Sequence, residues 1–309
     1  MAQSQEKLRL GTRASPLARW QAEWVAARLA ELGTPVELVP ITTQGDVKSG
    51  PLGQIGGQGL FTKELQRALL DEQIDLAVHS LKDLPTAPVE GLIIAAVPPR
   101  ESTADVLVSA KAGSIETLPH AARVGTGSLR RKAQLLYLRP DLVIEDIRGN
   151  LDTRLRKLDE GAYDAIILAE AGLKRLGLAS RIRQVIPRST MLSAVGQGAL
   201  GIETRAGDVR SRSLVAPLDH EPTHLAVVAE RTLLSTLRAG CLAPVGALAT
   251  ASGEQLSLTA VVLSPNGKHR LAAGAAMTVS DAIYLGQAVA EELLSQGAAE
   301  LIAGARQGQ

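Results

Sequence analysis

Two sets of residues in this sequence are suited to chemistry, and the first is a lysine–aspartate pair. Lys82 and Asp83 follow the apolar segment 75–79, which predicts a short buried strand. Open α/β sheets place their ligands beyond such strand ends. The ammonium group can stabilise an anion there, and the carboxylate can pair with a cation or move a proton. An ordinary exposed loop is the alternative interpretation of this pair.

The second set consists of polar residues at or near the ends of three further predicted strands. They are Ser128, Arg130 and Arg131 after the first, Arg148 and Arg154 around the second, and Arg175 after the third. Gly125 and Gly127 place the first group at a strand-to-helix turn, where backbone N–H groups attract anions. Guanidinium groups add bidentate contacts to carboxylate or phosphate. We therefore predict a site for a polycarboxylate or phosphate ligand, in preference to a solvated basic face.

Cys241 is the single cysteine among 309 residues, so any thiol chemistry of the chain takes place there. The preceding segment predicts a helix with one apolar face, formed by Leu225, Ala229, Leu233 and Leu237. Gly240 favours the end of that helix and Pro244 prevents its continuation, so Cys241 lies on a turn. The negative end of the helix dipole disfavours a thiolate. These residues alone favour a buried, inert thiol, with a reactive thiol as the alternative.

Composition argues against several classes of function. Aromatic residues make up 2% of the chain, too few for the stacking surfaces of a single-strand nucleic-acid binder. No apolar run approaches the roughly 18 residues of a membrane span, and His79 has no other ligand at metal-binding spacing. One cysteine excludes an intrachain disulfide and favours a reducing cytoplasm. The net charge is +1, yet residues 123–188 carry 14 basic and 8 acidic side chains, which favours an anionic ligand.

The elements that must position these residues alternate between strand and helix up to residue 176. Strands are predicted at 7–11, 36–42, 75–79, 91–97, 105–109, 123–125, 142–147 and 164–169. Helices are predicted at 16–32, 60–70, 128–138, 151–158 and 171–176, the first with Ser15 as its N-cap. This alternation predicts an α/β fold with mainly parallel sheets and helices on both faces. The glycine-rich segment 45–59 predicts a mobile loop, and 196–201 a tight connection.

After residue 221 the pattern changes. One helix is predicted to reach Gly240, and strands are predicted at 245–251, 256–264 and 268–273. The run Pro265-Asn266-Gly267 favours a hairpin between the last two strands, and a helical region follows from about residue 281. The pattern predicts a small C-terminal α+β domain with an antiparallel sheet.

Seven motifs, in order along nearly the whole chain, resemble the porphobilinogen deaminase (hydroxymethylbilane synthase) family. They are TRASPLA at 12–18, GLFTKEL at 59–65, VHSLKDLP at 78–85, SLRR at 128–131, RGN at 148–150, VGQGA at 195–199, and Gly240-Cys241. None of these motifs is sufficient alone, but together they are highly specific.

The resemblance implies three domains: residues 1–98 with 199–217, residues 104–193, and residues 221–309. The first two are α/β domains similar to periplasmic binding proteins, and the third carries a dipyrromethane cofactor through a thioether on Cys241. Such an enzyme is a transferase that condenses four porphobilinogen molecules head to tail, losing ammonia, to give hydroxymethylbilane in porphyrin and haem biosynthesis. The resemblance also implies a soluble, cytoplasmic monomer.

The same resemblance implies a role for each matched residue. Asp83 is the catalytic aspartate, which contacts pyrrole N–H groups and stabilises the cation formed on deamination. Cofactor contacts fall on Lys82, Ser128, Arg130 and Arg131, besides the covalent link at Cys241, and substrate contacts fall on Arg13, Ser15, Arg148, Arg154 and Arg175. Because each pyrrole carries two carboxylates, an elongating chain inside the protein needs paired cations.

Three residues depart from the family pattern: Gln58 replaces a common lysine, Gly127 replaces a common serine, and Glu170 adds an anion where a small residue is usual. Two other functions compete with the resemblance. A non-catalytic, periplasmic-type binding protein for a small anion is disfavoured because residues 1–7 are polar and lack a signal peptide. A hydrolase with a cysteine nucleophile is disfavoured because no Cys–His pairing is evident.

Overall fold

The computed structural model describes residues 7–41, 62–240 and 242–307. The predicted mobile loop at 45–59, the Gln58 departure and Cys241 therefore lie outside the described residues. The chain divides into two compact units, and each is described separately below. Unit 1 comprises Met1–Arg100 and Ala199–His224, and unit 2 comprises Glu101–Gly198 and Leu225–Gln309.

Strands and helices alternate through most of the described chain. The strands are β1 (Leu8–Thr12), β2 (Val36–Pro40), β3 (Leu76–Ser80), β4 (Leu92–Ala96), β5 (Asp105–Ser109), β6 (Arg123–Gly125), β7 (Val143–Glu145), β8 (Ala165–Ala169), β9 (Gln184–Val185), β10 (Leu200–Arg205), β11 (Val245–Ser252), β12 (Gln255–Leu263) and β13 (Arg270–Thr278). The helices are α1 (Pro16–Glu31), α2 (Lys63–Leu70), α3 (Leu129–Leu138), α4 (Leu151–Asp159), α5 (Glu170–Arg175), α6 (Val209–Val215), α7 (Glu221–Thr236), α8 (Ala282–Ser295) and α9 (Ala298–Gln307).

Unit 1 contains a five-stranded sheet in the order β2-β1-β3-β10-β4. Strand β1 is parallel to β2 and β3, whereas β10 is antiparallel to both of its neighbours, β3 and β4. Four of the five strands in this sheet therefore run in the same direction, and β10 runs in the opposite direction. The buried side chains Leu8, Leu10 and Leu76 pack with Val25 and Leu29 of α1 in one hydrophobic core.

Unit 2 repeats this plan in a second five-stranded sheet, ordered β7-β6-β8-β5-β9. Strand β6 is parallel to β7 and β8, and the reversed strand is β5, which is antiparallel to β8 and β9. In each sheet the reversed strand is the first strand after a boundary between the units. The predicted α/β class with mainly parallel sheets is confirmed.

Unit 2 also contains a three-stranded antiparallel sheet, ordered β11-β12-β13. Apolar residues of α7, α8 and α9 pack with this sheet into one core, which includes Leu233, Val262 and Leu285. The predicted C-terminal antiparallel sheet with flanking helices is thereby confirmed. Within the described residues, no helix is both long enough and apolar enough to cross a membrane.

The helix that precedes Cys241 is shorter than predicted. Helix α7 ends at Thr236, and the residue with left-handed backbone is Arg238, at φ +49°. The Arg238 N–H donates to the Ser235 carbonyl at 2.9 Å, and the Ala239 N–H donates to the Leu234 carbonyl at 3.0 Å. This is the hydrogen-bond pattern of a Schellman motif. The prediction that the helix continues to Gly240 is wrong, because the backbone turns at Arg238.

The sequence patterns missed three elements: β9, β10 and α6. Strand β10 begins within the segment 196–201, which was predicted to be only a tight connection. It is held in the sheet by pairing with β3 and β4, which lie more than 100 residues earlier in the chain. Local sequence carries little trace of such pairing.

Candidate functional site

Asp83 lies at the end of a short 3-10 turn, Leu81–Asp83, that follows β3 directly. The Leu81 N–H donates to the Ala199 carbonyl at 3.1 Å, and the Leu81 side chain is fully buried. A Cβ added at Gly201 would overlap the Leu81 side chain, so β10 packs closely under the turn. The Asp83 side chain itself is exposed. The turn is thus fixed from below while its carboxylate faces outward.

A buried polar group supports this strand. The His79 Nε2 lies 2.9 Å from Glu203 Oε2, and the Gln66 amide donates to Glu203 Oε1 at 3.0 Å. His79 is 4% exposed and has Glu203 as its hydrogen-bond partner, so it is a core histidine. Among the described residues, no group of three or more His, Cys, Asp or Glu side chains is placed to hold a metal ion.

Arg13 and Ser15 follow β1, which is the parallel neighbour of β3. The carboxyl ends of parallel strands meet at the same edge of a sheet, so this pair and the Lys82–Asp83 pair share one edge of unit 1. Ser15 is the N-cap of α1, as predicted, and its hydroxyl accepts from the Ala18 N–H at 3.4 Å. Arg13 and Lys82 are both half-buried.

In unit 2, Arg130 and Arg131 are both buried, at 3% and 6% exposure, in the first turn of α3. Each guanidinium group also donates to a backbone carbonyl: Arg130 to Leu192 at 2.5 Å and Arg131 to Ile167 at 3.0 Å. These contacts hold the pair inside the unit, so it is no solvated basic face.

Asp105, at the start of β5, lies between the two arginines and is 0% exposed. Arg130 Nη1 donates to it at 2.7 Å, and Arg131 donates through Nε at 3.0 Å and Nη2 at 2.8 Å. The Gln197 amide donates a further bond at 3.0 Å. Burial alone would raise the pKa of Asp105, but the charges of Arg130 and Arg131 outweigh burial and hold it well below its usual range.

Sequence reasoning missed Asp105 and assigned no role to Gln197. The signal that points to Asp105 is an acidic residue at the head of an otherwise apolar five-residue strand, Asp105–Ser109. A charge at such a position must be paired when the strand is buried on both faces. Nothing in the local pattern says which cation pairs with it.

The turn before α3 is closely packed. Ser128 is the N-cap of the helix, and its hydroxyl accepts from the Arg131 N–H at 3.5 Å. A Cβ added at Gly127 would lie 3.0 Å from both Asp146 Oδ1 and the Ile147 carbonyl. The glycine at this family departure therefore suits a site with little space for a side chain.

The other two arginine-bearing turns are more open. Arg148 donates to Asp146 at 2.6 Å, and Arg154 donates to the Gly149 carbonyl at 2.8 Å, next to the N-terminus of α4. Arg175, at the end of α5, donates to the Gly198 carbonyl at 2.7 Å. Burial lowers the pKa of Arg175 to about 10, because its guanidinium has lost part of the solvation that a surface residue keeps.

Glu170, the third family departure, has local cationic and hydroxyl partners. Lys174 lies one helical turn later, with its Nζ 3.1 Å from Glu170 Oε1. The Ser102 hydroxyl donates to Glu170 Oε2. The additional negative charge is therefore balanced beside α5 and need not repel an anionic ligand.

The residues of unit 2 suit a group that carries carboxylates. Besides its carbonyl and Asp105 contacts, Arg130 has a buried Nε with no hydrogen-bond partner in the described part of the chain. Two guanidinium groups share one carboxylate there, so positive charge is in excess. An anion that accepts from N–H groups satisfies both conditions.

Two family models together match most of the chain. One is described as "Porphobilinogen deaminase, dipyromethane cofactor binding domain" and matches residues 8–213. The other is described as "Porphobilinogen deaminase, C-terminal domain" and matches residues 224–295.

Curated relatives extend over almost the full length. Porphobilinogen deaminase of Syntrophotalea carbinolica is 48% identical over 303 residues, covering 97% of this chain and 96% of the relative. Porphobilinogen deaminase of Acidithiobacillus ferrooxidans is 51% identical over 298 residues, covering 96% of this chain and 97% of the relative.

Solved structures give weaker likenesses. Immunogenic lipoprotein A from Vibrio vulnificus is 17% identical, with a TM-score of 0.45, covering 70% of this chain and 96% of that one. A putative methionine-binding lipoprotein from Bacillus subtilis is 13% identical, with a TM-score of 0.44, covering 70% and 91%. Likenesses this weak support no conclusion about the chain.

The fold, the arginine-rich site and the matched models define an α/β transferase of tetrapyrrole biosynthesis with a dipyrromethane cofactor. Because the family models and the curated relatives agree along nearly the whole sequence, the chain belongs to the porphobilinogen deaminase family.

Proposed function

We propose that this protein condenses four porphobilinogen molecules head to tail, with loss of ammonia, to give hydroxymethylbilane. The observation that carries the proposal is the buried pair Arg130 and Arg131. Their two positive charges exceed the single negative charge of the carboxylate that they share, Asp105. Porphobilinogen and the dipyrromethane cofactor both carry carboxylates that match this excess. Family membership supports the same substrate.

Cys241 is the proposed point of attachment for dipyrromethane, through a thioether. As the single cysteine of the chain, it is the one thiol available for such a link. When bound, the cofactor supplies a covalently held primer to which pyrrole rings are added. Lys82, Ser128, Arg130 and Arg131 are the residues proposed to hold its carboxylates.

Asp83 is the proposed catalytic residue. Its carboxylate stabilises the positive charge that develops on porphobilinogen as ammonia leaves, while it accepts from pyrrole N–H groups. The fixed turn beneath it, with Leu81 packed against Gly201, supports this role because electrostatic stabilisation requires a charge that does not reorient during the reaction.

Substrate carboxylates are proposed to bind at the remaining cations. Arg13 and Ser15 serve at the strand edge of unit 1, and Arg148, Arg154 and Arg175 serve at the two other turns of unit 2. The half-buried guanidinium of Arg175, with its lowered pKa, supports such a role because a bound carboxylate compensates for lost solvation.

Organisation and location belong to the same proposal. We propose three domains, at 1–98 with 199–217, 104–193 and 221–309, in a monomer with no nucleic-acid partner. A cytoplasmic location is supported by chemistry, because a reducing compartment keeps the single thiol free until the cofactor is attached. Size-exclusion chromatography with light scattering tests the monomer.

The intact mass of the purified protein tests the proposed function. We expect a mass above that of the sequence by one dipyrromethane unit, with the adduct on the peptide that contains Cys241. The matched variant Cys241→Ser is expected to keep the sequence mass and to release no hydroxymethylbilane from porphobilinogen. An unmodified protein that still makes hydroxymethylbilane would contradict the cofactor's role. A protein that binds porphobilinogen but releases no ammonia would favour the binding-protein alternative.

A further inference from the structure

Asp105 is a fully buried carboxylate for which neither the sequence motifs nor the proposed chemistry provides a role. It accepts bonds from three charged nitrogen atoms and one amide: Arg130 Nη1, Arg131 Nε and Nη2, and Gln197 Nε2. All four donors lie between 2.7 and 3.0 Å from its oxygens. A carboxylate with this number of charged donors orients the groups that surround it.

The charges of this cluster do not cancel. Two guanidinium groups and one carboxylate leave one positive charge in excess, at residues no more than 6% exposed. Burial lowers the pKa of Arg130, Asp105 opposes that shift, and the like charge of Arg131 adds to it. The buried Nε of Arg130 has no hydrogen-bond partner among the residues that the structure describes. The cluster therefore has both a charge and a donor available for one anion.

We propose that Asp105 is the built-in counter-ion of the cofactor site. It neutralises one of the two buried guanidinium groups before the cofactor is present. It also orients both groups, so that the remaining charge is matched by a single carboxylate of dipyrromethane. Asp105 is in this sense a positioning residue, and its role rests on the proposed function.

Charge counting gives the expected effect of removing the carboxylate. The cluster carries +1 without cofactor and 0 with one cofactor carboxylate, and Asp105→Asn changes these values to +2 and +1. The electrostatic cost of a buried cluster grows with the square of its net charge. The variant is therefore expected to destabilise the cofactor-free protein roughly three times as much as the cofactor-loaded protein.

Unit 1 offers a matched control in Asp75. This carboxylate also lies between two arginines, with Arg9 at 2.7 Å and Arg205 at 3.1 Å, and it is 8% exposed. No residue proposed to bind the cofactor contacts it in the described structure. Asp75→Asn thus removes a comparable charge without a link to the cofactor.

The experiment compares melting temperatures of cofactor-free and cofactor-loaded protein. The two forms are prepared from a host that lacks porphobilinogen and from one that makes it, and intact mass verifies each form. For Asp105→Asn we expect the cofactor-free midpoint to fall by roughly 10 °C and the loaded midpoint by about a third of that. For Asp75→Asn we expect both midpoints to fall equally.

A double variant tests charge balance directly. Asp105→Asn combined with Arg131→Gln returns the cofactor-free cluster to +1, so its cofactor-free midpoint should exceed that of Asp105→Asn alone. If the single variant is insoluble from both hosts, the double variant should still be recovered in soluble form. A purely packing role for Asp105 predicts no such rescue, because the second change removes further contacts.

Three results would overturn the proposal. The first is an equal fall of the melting midpoint in the cofactor-free and cofactor-loaded forms of Asp105→Asn, and the second is a larger fall in the cofactor-free form than in the loaded form of Asp75→Asn. The third is a double variant that is no more stable or soluble than Asp105→Asn alone. Failure of the proposed function is distinguishable from these, since the wild-type protein would then gain no dipyrromethane mass in the host that makes porphobilinogen.

Discussion

Replacing Gly267 with alanine perturbs a contact between the C-terminal sheet and the helix that carries Arg130 and Arg131. Gly267 lies in the turn between β12 and β13 and has φ +71°. A Cβ at this position would lie 2.5 Å from the Tyr137 nitrogen and 2.8 Å from the Ala133 carbonyl oxygen. Both atoms belong to the backbone of α3, so the helix cannot move aside by rotating a side chain.

Two costs combine in Gly267→Ala. A left-handed backbone costs an L-residue about 1 kcal/mol, and forced overlap in a packed interior costs about 1–3 kcal/mol. The expected loss is therefore about 2–4 kcal/mol, which lowers the melting temperature of a unit of this size by roughly 5–15 °C.

Gly253 supplies the matched control. It lies in the other turn of the same sheet, between β11 and β12, with φ +58° and nothing within 4 Å of an added Cβ. Gly253→Ala therefore retains the backbone cost of about 1 kcal/mol and omits the overlap. We expect a loss of only roughly 2–4 °C for this variant.

Thermal unfolding followed by circular dichroism measures both losses, and hydrogen exchange locates them. Amides of α3 should exchange faster in Gly267→Ala than in the wild type, and at the wild-type rate in Gly253→Ala. Equal midpoints for the two variants, or unchanged exchange in α3, would refute the inference that Gly267 packs against this helix.

Three further predictions follow from individual residues. Asp83→Asn should reduce turnover at least about 100-fold and change the free energy of unfolding by less than about 0.5 kcal/mol, because the side chain is exposed; near-normal turnover would remove Asp83 from its role. Burial raises the pKa of Asp105, but the two arginines lower it by more, so the pKa lies below its usual range. The folded state therefore binds this proton less readily than the unfolded state. Stability should therefore decline as the pH falls below about 4, and urea midpoints should show a smaller decline in Asp105→Asn. Arg238→Gly should raise the urea midpoint by the equivalent of about 1 kcal/mol, because glycine adopts a positive φ without steric strain. Arg238 is exposed and has φ +49°, and a lower urea midpoint would contradict the inference that its backbone is strained.

Local sequence patterns were sufficient to predict the fold class and most of the strands and helices. Alternating apolar segments and turn residues predicted strands such as Asp105–Ser109 and Arg123–Gly125 with their observed bounds. Ser15 was predicted correctly as an N-cap. This was possible because a cap hydrogen bond joins residues only three positions apart in the chain. These features depend on neighbours in the chain, so local patterns contain them.

Tertiary structure alone decided how the arginine pair is held. Asp105 lies 25 residues before Arg130, and Gln197 lies 92 residues after Asp105, yet the three meet within hydrogen-bond distance. The reversed strand β10 and the left-handed turn at Arg238 also went unpredicted. Strand β10 depends on pairing between segments far apart in sequence. The turn after α7 depends on backbone hydrogen bonds in which Arg238 takes the place of the expected glycine. A buried charge requires a partner, but only the folded chain specifies which one, because that choice is set by packing across the sheet.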